Sequence, residues 1–327
     1  MVTGVGATNI DIIATSISAY AAHDSNPSNI VMGVGGVGKN YAHNLSLLGE
    51  NVQFITLFGD DYLGDLAKKE CKRLGFDLHL SATPNDARSS MFLCINNTQG
   101  QMQAGAADVA IIEEYLTPAF LETRIDEINR SQLVLFDANL PVEAIVYLLD
   151  NCTVPMMADT VSSKKAVRIA QALQEAQCPR LHTLKLNKIE SQHILGAEIG
   201  KDPHRLLTLL HDLGVEHVYI TDGARGVTAS SAHQQAVAHP RTFPIIPPTQ
   251  IVDTNGCGDA FISGLAFAFL QGVAFPDCVQ YGLLASKATI EVSSVVNPNL
   301  LEELSSLHPK TRTLITDNNE SVSITLS

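Results

Sequence analysis

Short β-branched or apolar runs alternate with amphipathic helical patterns along most of the 327-residue chain. Strands that alternate with helices in this way favour a parallel sheet with helices on both faces, so this rhythm limits the possible folds strongly. The length allows one large α/β domain or two ordinary ones. The predicted strand and helix neighbours are Val52–Phe58 with Tyr62–Leu74, Leu133–Phe136 with Val142–Leu149, Val154–Ala158 with Lys165–Glu175, and His217–Thr221 with Pro203–Leu213.

Two segments break the rhythm, residues 12–32 and roughly 76–105. Both contain strand-like pieces with few helical signals. Ser89–Asn96 and Gln101–Ala104 are separated by Asn-Thr-Gln-Gly, which predicts a hairpin. We therefore expect a small accessory sheet that covers a site at the edge of the main sheet. The polar segment Lys310–Ser327 is predicted to trail off the domain.

Composition excludes several classes of function. A formal net charge of −13 argues against a broad basic surface for nucleic acid. The apolar stretch 260–275 is interrupted and too short to span a membrane. The six cysteines form no C-x-x-C pair, which indicates free thiols in a reducing cytoplasm. The eleven histidines show no ligand spacing such as H-E-x-x-H, so the spacing predicts no histidine metal site.

The stretch GVGGVGKN at 33–40 fits three patterns at once. As a dinucleotide fingerprint it has a suitable helix behind it, but HDSNPSN at 23–29 cannot be the buried strand expected in front. As a P-loop it has Asn40 where a hydroxyl should hold Mg²⁺. The third interpretation is a glycine turn that lets a polar substrate approach the backbone.

A second glycine-containing motif, DTNGCGDAF at 253–261, has the features of a helix start. Apolar residues at helical spacing follow it, and its glycines leave amide N–H groups at the positive end of the helix dipole. Asp259 would lie beside an anion bound there and could accept a proton from an attacking hydroxyl. Phosphoryl transfer needs this combination of donors for the charged oxygens and a carboxylate for the nucleophile.

The two motifs GGVGKN at 35–40 and DTNGCGDAFISG at 253–264 together resemble the paired signatures of the ribokinase-like (PfkB) carbohydrate kinase family. The resemblance runs from Gly4 to about Leu304. It implies an α/β fold, a three-layer αβα sandwich with a mainly parallel central sheet and a small β lid. It implies one kinase domain over 1–308, with lid segments near 12–32 and 76–105, and a polar tail over 309–327. The implied co-substrate is ATP and the implied cofactor is Mg²⁺, while a monovalent cation such as K⁺ stays open.

Site residues carry over from the resemblance motif by motif. The anion hole and the base correspond to Gly256, Cys257, Gly258 and Asp259. The acceptor contacts correspond to Asn9, Asp11, Gly36, Asn40 and Asn139. Residues near the nucleotide phosphates correspond to Asn187, Thr221, Gly223 and Gly226, with Glu190 as an indirect contact of Mg²⁺. The chain departs from the family in Cys257, where a smaller residue is usual, and in Leu186, where proline is common.

Finer matches at 25–27, 158–165, 181–187 and 296–300 resemble the pseudouridine kinase subgroup. That resemblance implies transfer of the γ-phosphate of ATP to the 5′-hydroxyl of pseudouridine. The uracil ring would need an apolar cover and a polar partner. Candidates for the cover are Ile12, Met32 and Phe92, and candidates for the polar partner are Asp108 and Asn139.

Other functions stay open at this point. Within the family, the chain could be a ribokinase or another nucleoside or sugar kinase. A ligand-binding member without catalysis is a second class, against which Asp259 and its glycines argue. A nicotinamide dehydrogenase is a more distant third. We expect small-molecule partners only, and a homodimer formed through the lid, because exposed strand edges there would otherwise pair without control.

Overall fold

The computed structural model of the protein describes residues 1–196, 202–232, 240–305 and 307. The predicted tail over 309–327 lies outside these residues. The strands are β1 (Val2–Val5), β2 (Asn9–Ser16), β3 (Ser28–Gly35), β4 (Val52–Ile55), β5 (Met91–Asn96), β6 (Met102–Asp108), β7 (Leu133–Asp137), β8 (Met156–Asp159), β9 (Leu181–Asn187), β10 (Val215–Thr221), β11 (Val227–Ser231) and β12 (Arg241–Phe243).

The helices connect these strands and flank them. They are α1 (Val37–Leu47), α2 (Tyr62–Arg73), α3 (Ala110–Tyr115), α4 (Pro118–Glu122), α5 (Ile125–Ile128), α6 (Val142–Asn151), α7 (Ser163–Glu175), α8 (Lys188–Ser191), α9 (Pro203–Asp212), α10 (Cys257–Leu270), α11 (Cys278–Ile290) and α12 (Leu300–Leu304). Within the described residues, no helix is both long enough and apolar enough to cross a membrane.

The large sheet has eight strands in the order β12-β11-β10-β9-β8-β7-β1-β4. All neighbours from β10 to β4 are parallel, and only β11 and β12 pair antiparallel at one edge. Apolar cores cover both faces, one with α6, α7 and α9, the other with α1, α10 and α11. The predicted α/β sandwich is therefore confirmed. β1 and β7 are mostly apolar and are buried along their whole lengths because helices cover both sides.

The small sheet has four strands in the order β3-β2-β5-β6. β2 pairs antiparallel with β3 and parallel with β5, and β5 and β6 form the predicted hairpin. The predicted lid segment from about 76 to 105 is only partly in this sheet. Residues 76–82 instead follow the edge of the large sheet, where Asp77 and Ala82 bridge to Gln53 and Leu57.

The same pairing explains why β4 is shorter than the predicted strand Val52–Phe58. After Ile55 the backbone leaves β1 and bonds to the following segment, with Phe58 N donating to Ala82 O at 3.0 Å. The segment covers an edge strand that would otherwise expose unpaired backbone groups. The prediction failed here because periodicity in a sequence does not reveal which neighbour a strand pairs with.

Candidate active site

The carboxyl ends of the parallel strands meet at one edge of the large sheet, which we call the active edge, and four adjacent strands end in polar residues there. β7, β8, β9 and β10 end in Asp137, Asp159, Asn187 and Thr221, respectively. In open α/β sheets, ligands bind outside the carboxyl ends of the strands. The start of α10 lies at the same edge. Asp259, in the first turn of α10, is close enough to Asp159, Lys185 and Asp137 for their charges to shift its pKa.

The geometry of the α10 start requires its glycines. Gly256 caps the helix with a φ of 78°, and a Cβ there would lie 2.0 Å from the carbonyl oxygen of Val295. A Cβ on Gly258 would lie 2.8 Å from Nζ of Lys185. The first amides of a helix have no acceptor within the helix. The amides of Cys257 and Gly258, with the Lys185 ammonium beside them, can therefore bind an anion.

Asp259 is a buried carboxylate with a perturbed affinity for protons. The side-chain amide of Asn40 donates to its Oδ2 at 2.8 Å. Burial, and next the charge of Asp159, raise the pKa of Asp259 to about 7, although Asn40 and Lys185 oppose the shift. A general base works best when its pKa is close to the operating pH, so Asp259 can take a proton at neutral pH.

Lys185 is a site residue that the sequence analysis did not select. Its ammonium lies 2.9 Å from Oδ2 of Asp159, and both side chains are buried. Burial alone would lower the pKa of Lys185, but the charges of Asp159, Glu190 and Asp259 raise it. A signal was present in the sequence, because a lysine between two leucines in a buried strand is rare unless it is paired.

The turn after β8 is conformationally strained. Val161 has a φ of 62°, a left-handed value that is unusual for a β-branched residue. Its backbone N–H donates to Oδ1 of Asp159 at 2.8 Å. Such outliers concentrate at functional sites, where the surrounding structure maintains them. The turn thus holds the carboxylate that pairs with Lys185.

Asn187 and Glu190 form a reciprocal capping box at the start of α8. Glu190 accepts from the Asn187 amide at 2.7 Å and from the Thr160 hydroxyl at 2.6 Å. Asn187 Nδ2 donates to the other carboxylate oxygen at 2.7 Å. Protein donors therefore occupy both oxygens of Glu190, an arrangement that suits the indirect metal contact expected for this residue.

An apolar cavity of about 350 Å³ lies beside the start of α10. Three of the four residues predicted to lie near the nucleotide phosphates, Thr221, Gly223 and Gly226, line it together with Cys257 and Gly258, whereas Asn187 is not among the lining residues. Gly226 has a φ of 95°, and a Cβ there would lie 2.0 Å from the carbonyl oxygen of Phe243. The remaining lining includes Ile246, Ile251, Phe261, Leu283 and Ile290. A flat aromatic base fits such a lining, with its phosphates toward the helix start.

On the side of Asp259 toward the small sheet, three oxygens have no hydrogen-bond partner among the described residues. They are Oδ1 of Asn9, of Asp11 and of Asn40, and all three are buried atoms. Asn40 uses its amide nitrogen on Asp259, which leaves its carbonyl oxygen available. Buried acceptors without donors are costly, so this group calls for a ligand rich in hydroxyls. Burial raises the pKa of Asp11 to about 6, opposed by the charge of Lys39.

The glycine stretch connects this acceptor group to α1. Gly36 has a φ of 103°, and a Cβ there would lie 2.5 Å from the carbonyl oxygen of Ala7. A Cβ on Gly35 would lie 1.9 Å from Oδ2 of Asp11, so the carboxylate lies directly over that backbone. The stretch begins in the last residues of β3, a strand of the small sheet, rather than after a central strand of the large sheet. This placement rules out both phosphate-binding interpretations and leaves the third, a turn that admits a polar substrate.

The side chains of two predicted acceptor contacts, Asp108 and Asn139, are paired with other residues of the chain. Asp108 ends β6, is about half exposed, and forms a 3.1 Å ion pair with Arg88. Asn139 follows β7 at the active edge and is buried, but its side-chain oxygen accepts a hydrogen bond from Lys165. The sequence analysis also missed Asp137, which is fully buried and accepts from the amides of Ala7 and Asn139. Burial raises the pKa of Asp137 to about 6.

The strand register separates the three candidates for an apolar cover. Phe92 lies opposite Asp11, so it shares the face of the small sheet that carries the acceptor oxygens. Ile12 lies opposite Met32 and next to Asp11 in the strand, so both side chains point to the other face. Alternation along the strand thus excludes Ile12 and Met32 as covers on the Asp11 face, and Phe92 is retained.

Cys257 lies in the first turn of α10, where an oxidisable thiol would affect anion binding. Burial, followed by the charges of Asp253 and Asp259, raises the pKa of its thiol to about 11. The thiolate is the reactive form, so this shift disfavours reaction of Cys257 at neutral pH. A buried, protonated cysteine at this position is consistent with a small apolar side chain that fills space.

The chain has the ribokinase-like α/β fold, and three features lie at this edge: a helix start that can bind an anion, a buried carboxylate with a raised pKa, and a group of buried oxygens without partners among the described residues. Residues 1–302 match the model of the pfkB family of carbohydrate kinases, and the chain belongs to this family. It is therefore a carbohydrate or nucleoside kinase. The family uses ATP, usually with Mg²⁺.

Known proteins of related sequence and structure cover nearly the whole chain. An uncharacterized sugar kinase of Escherichia coli K12, YeiI, is 30% identical over 301 residues, which are 90% of this chain and 80% of that protein. The pseudouridine kinase of the same strain is 27% identical over 299 residues, 90% and 92% of the two chains. The ribokinase of Arabidopsis thaliana, solved with ribose and ATP, is 19% identical and superposes with a TM-score of 0.76 over 93% and 98%.

Proposed function

We propose that the protein transfers the γ-phosphate of ATP to the 5′-hydroxyl of pseudouridine, giving pseudouridine 5′-phosphate and ADP. The observation that carries the acceptor assignment is the 27% identity to a pseudouridine kinase over almost the full length of both chains. Two of the subgroup-like segments, 158–165 and 181–187, contain the carboxyl ends of β8 and β9, which lie at the active edge, although 181–187 also runs the whole length of β9. Parts of these two segments are therefore near the proposed chemistry, which supports the acceptor assignment.

In the proposed reaction Asp259 is the general base. It takes the proton of the 5′-hydroxyl as that oxygen attacks the γ-phosphorus, and the bond to the β-phosphate oxygen breaks to release ADP. The amides of Cys257 and Gly258 and the ammonium of Lys185 stabilise the negative charge on the transferred group. The 2.8 Å bond from Asn40 orients the carboxylate and connects the base to the acceptor site.

The three partnerless oxygens support a ribosyl acceptor. The partnerless atoms of Asn9, Asp11 and Asn40 are oxygens that can only accept, and the 2′- and 3′-hydroxyls of a ribose can donate to them. Phe92 offers an aromatic face for the base on the same side of the small sheet. Asp11 and Phe92 lie on neighbouring strands, so sugar and base could be bound side by side.

For Mg²⁺ we propose an oxygen-rich position near Asn187 and Glu190. Hard oxygen ligands suit this ion, and it usually keeps several waters while binding substrate phosphates. Because both oxygens of Glu190 are occupied by protein donors, Glu190 would contact the ion through water. When bound, Mg²⁺ would neutralise charge on the phosphates. Replacing K⁺ by Na⁺ in a kinase activity assay tests whether the protein needs a monovalent cation.

We also propose a homodimer through the small sheet. Edge strand β3 exposes Ile30, Val31 and Met32 at 68%, 67% and 53%, and Leu93 and Met102 are exposed in the same sheet. Contiguous apolar side chains on a strand edge are a pairing surface. Light scattering of the wild type should give a dimer, and Ile30→Lys, on the face opposite Asp11, should give a monomer. A monomeric wild type would refute this.

The function is tested with a panel of nucleosides and sugars incubated with ATP and analysed by mass spectrometry. We expect pseudouridine to exceed uridine and free ribose at least tenfold in kcat/KM. Pseudouridine carries an extra N–H beside the glycosidic carbon, and a buried acceptor left without it costs about 1–3 kcal/mol. If ribose or uridine matches pseudouridine, the acceptor assignment is wrong, and the chain is a broader nucleoside or sugar kinase.

A further inference from the structure

Strand pairing brings two histidines and a glutamate together at the amino ends of β9 and β10. In the parallel register Leu181 pairs with Val215 and Thr183 with His217, so His182 lies across from Glu216. The proposed phosphate site lies at the other ends of the same strands, where Asn187 and Thr221 are five and four residues further along. At about 3.3 Å per residue this separates the two places by roughly 15 Å.

The three side chains are close enough to share one ion. One ligand atom from each of His182, Glu216 and His217 lies within 4.8 Å of the other two. Nε2 of His217 is 3.3 Å from Oε1 of Glu216, and the two imidazole rings have centroids 4.9 Å apart. Tetrahedral zinc with bonds of about 2.0–2.1 Å needs ligand atoms about 3.3 Å apart, so small side-chain rotations would close the set.

The surroundings have the features of a metal site. The Thr183 hydroxyl lies 2.9 Å from Nδ1 of His182, and in the tautomer in which Nδ1–H donates a hydrogen bond to that hydroxyl, Nε2 carries the lone pair. Zinc-bound histidines are generally oriented by such a contact on the other ring nitrogen. Phe275 stacks on His217 at 5.1 Å and Phe269 packs edge-on against His182 at 4.6 Å, which limits the rings to few orientations.

Two cavities border the cluster of His182, Glu216 and His217 and give an ion access to it. A cavity of about 390 Å³ is lined by both histidines and by Phe269, Phe275 and Cys278. A second, larger cavity is lined by His182 and Glu216. His182 lines both cavities, so an ion in the larger one can reach the cluster.

We propose that His182, Glu216 and His217 form a site for a divalent transition metal of the zinc class, separate from the kinase site. Two imidazoles and one carboxylate are a frequent ligand set for Zn²⁺, which leaves a fourth position for water. Nitrogen ligands also select this class over Mg²⁺, which takes oxygen ligands. The inference does not depend on the proposed substrate, since none of the three residues lies at the active edge.

The test uses full-length protein freed of metal by dialysis against a chelator, then titrated with Zn²⁺ against a chromophoric chelator with Mg²⁺ in excess. We expect one equivalent of Zn²⁺ in the wild type. His182→Gln and His217→Gln should each weaken it by about 100-fold or more, since even second-shell changes weaken metal sites about 10- to 100-fold. His211→Gln is the matched control, because His211 lines the same larger cavity but bonds to Val215 O and the Ser230 hydroxyl.

A second measurement protects the test against loss of packing in the histidine variants. Glu216→Gln keeps the size of a half-buried side chain, and Co²⁺ should give the visible absorption of a four-coordinate ion in the wild type but a changed band in this variant. The proposal is overturned if the wild type binds less than half an equivalent of Zn²⁺. It is equally overturned if His211→Gln weakens binding as much as the folded His182 and His217 variants do.

Discussion

The two sides of Asp259 differ in how their polar groups are satisfied. On the large-sheet side, Lys185 is paired with Asp159, and Glu190 is held by Asn187 and Thr160. On the small-sheet side, oxygens of Asn9, Asp11 and Asn40 are buried and have no partner among the described residues. The protein itself satisfies the polar groups of the first side, whereas in the proposed function a ligand satisfies those of the second.

From this difference we expect one group of residues to stabilise the fold and the other to bind the acceptor. Removing one member of a satisfied buried pair leaves a charge without compensation, which costs stability. Removing an unsatisfied buried acceptor deletes a group that already costs free energy in the absence of ligand. Substitutions on the two sides should therefore move stability and substrate binding in different proportions.

The largest expected effect comes from Asp259, which lies between the two sides. Asp259→Asn keeps the size of the side chain and its bond from Asn40, but it cannot take a proton. We expect kcat to fall by roughly 10²–10⁴, the contribution of a general base. Asp277→Asn, an exposed acid at the start of the neighbouring helix α11, is the control. Near-normal turnover in purified, folded Asp259→Asn would remove this residue from the mechanism.

On the satisfied side, Lys185→Met should lower the free energy of unfolding by about 3–5 kcal/mol, the cost of breaking a buried ion pair. The double variant Lys185→Met with Asp159→Leu should regain much of this loss, because no buried charge is left alone. Urea unfolding of both variants and the wild type measures the difference. Unchanged stability in the single variant would mean that the pair is not buried as described.

On the unsatisfied side, Asp11→Ala should lower kcat/KM for the acceptor by about ten- to a hundredfold, since a hydrogen bond to a charged group contributes about 1.5–3 kcal/mol. The KM for ATP should not rise, and the urea midpoint should not fall. Steady-state kinetics with each substrate varied in turn gives both values. Equal losses for acceptor and ATP would contradict the comparison and assign Asp11 a structural or nucleotide role.

The pKa of Asp259, raised to about 7, predicts an acid limb in the pH profile. Below that pH the base is protonated, and kcat/KM should fall about tenfold per pH unit. The bond from Asn40 lowers this pKa, so Asn40→Ala should shift the limb to higher pH. A limb that stays in place would show that Asn40 does not act on this carboxylate.

The same shift has a consequence for stability. The folded state holds the proton of Asp259 more tightly than the unfolded chain does, whose ordinary value is 3.8. The stabilising contribution is therefore complete below pH 3.8 and is lost as the pH rises to about 7. Asp259→Asn avoids that loss, so above pH 7 it should be more stable than the wild type, which thermal unfolding can measure.

The smallest expected effect distinguishes the two faces of the small sheet. Phe92→Ala should raise the KM for pseudouridine about tenfold and leave that for ribose unchanged, since aromatic stacking on a base contributes about 1–3 kcal/mol. Met32→Ala, on the opposite face, should change neither value. If Met32→Ala weakens pseudouridine as much as Phe92→Ala, the base is not bound on the Asp11 face.

Much of the fold followed from local pattern. Runs such as 133–136 and 142–149 show their periods in the sequence, and the structure has a strand and a helix there. The two places where the predicted limits were wrong share one cause. The strand predicted to reach Phe58 ends at Ile55, and the lid predicted from 76 begins at Met91, because pairing partners decide both limits. Partner choice depends on the whole sheet and leaves little trace in a short window.

The sequence by itself determined the family and those functional residues whose role follows from their neighbours in the sequence. Gly256, three residues before Asp259, indicates a helix start because its left-handed backbone conformation favours glycine. Only the tertiary structure decided which distant side chains meet: Lys185 with Asp159, Asn40 with Asp259, and His182 with Glu216. The physical reason is that pKa values, ion pairs and metal sites depend on distances of a few ångströms between atoms that strand order and register bring together.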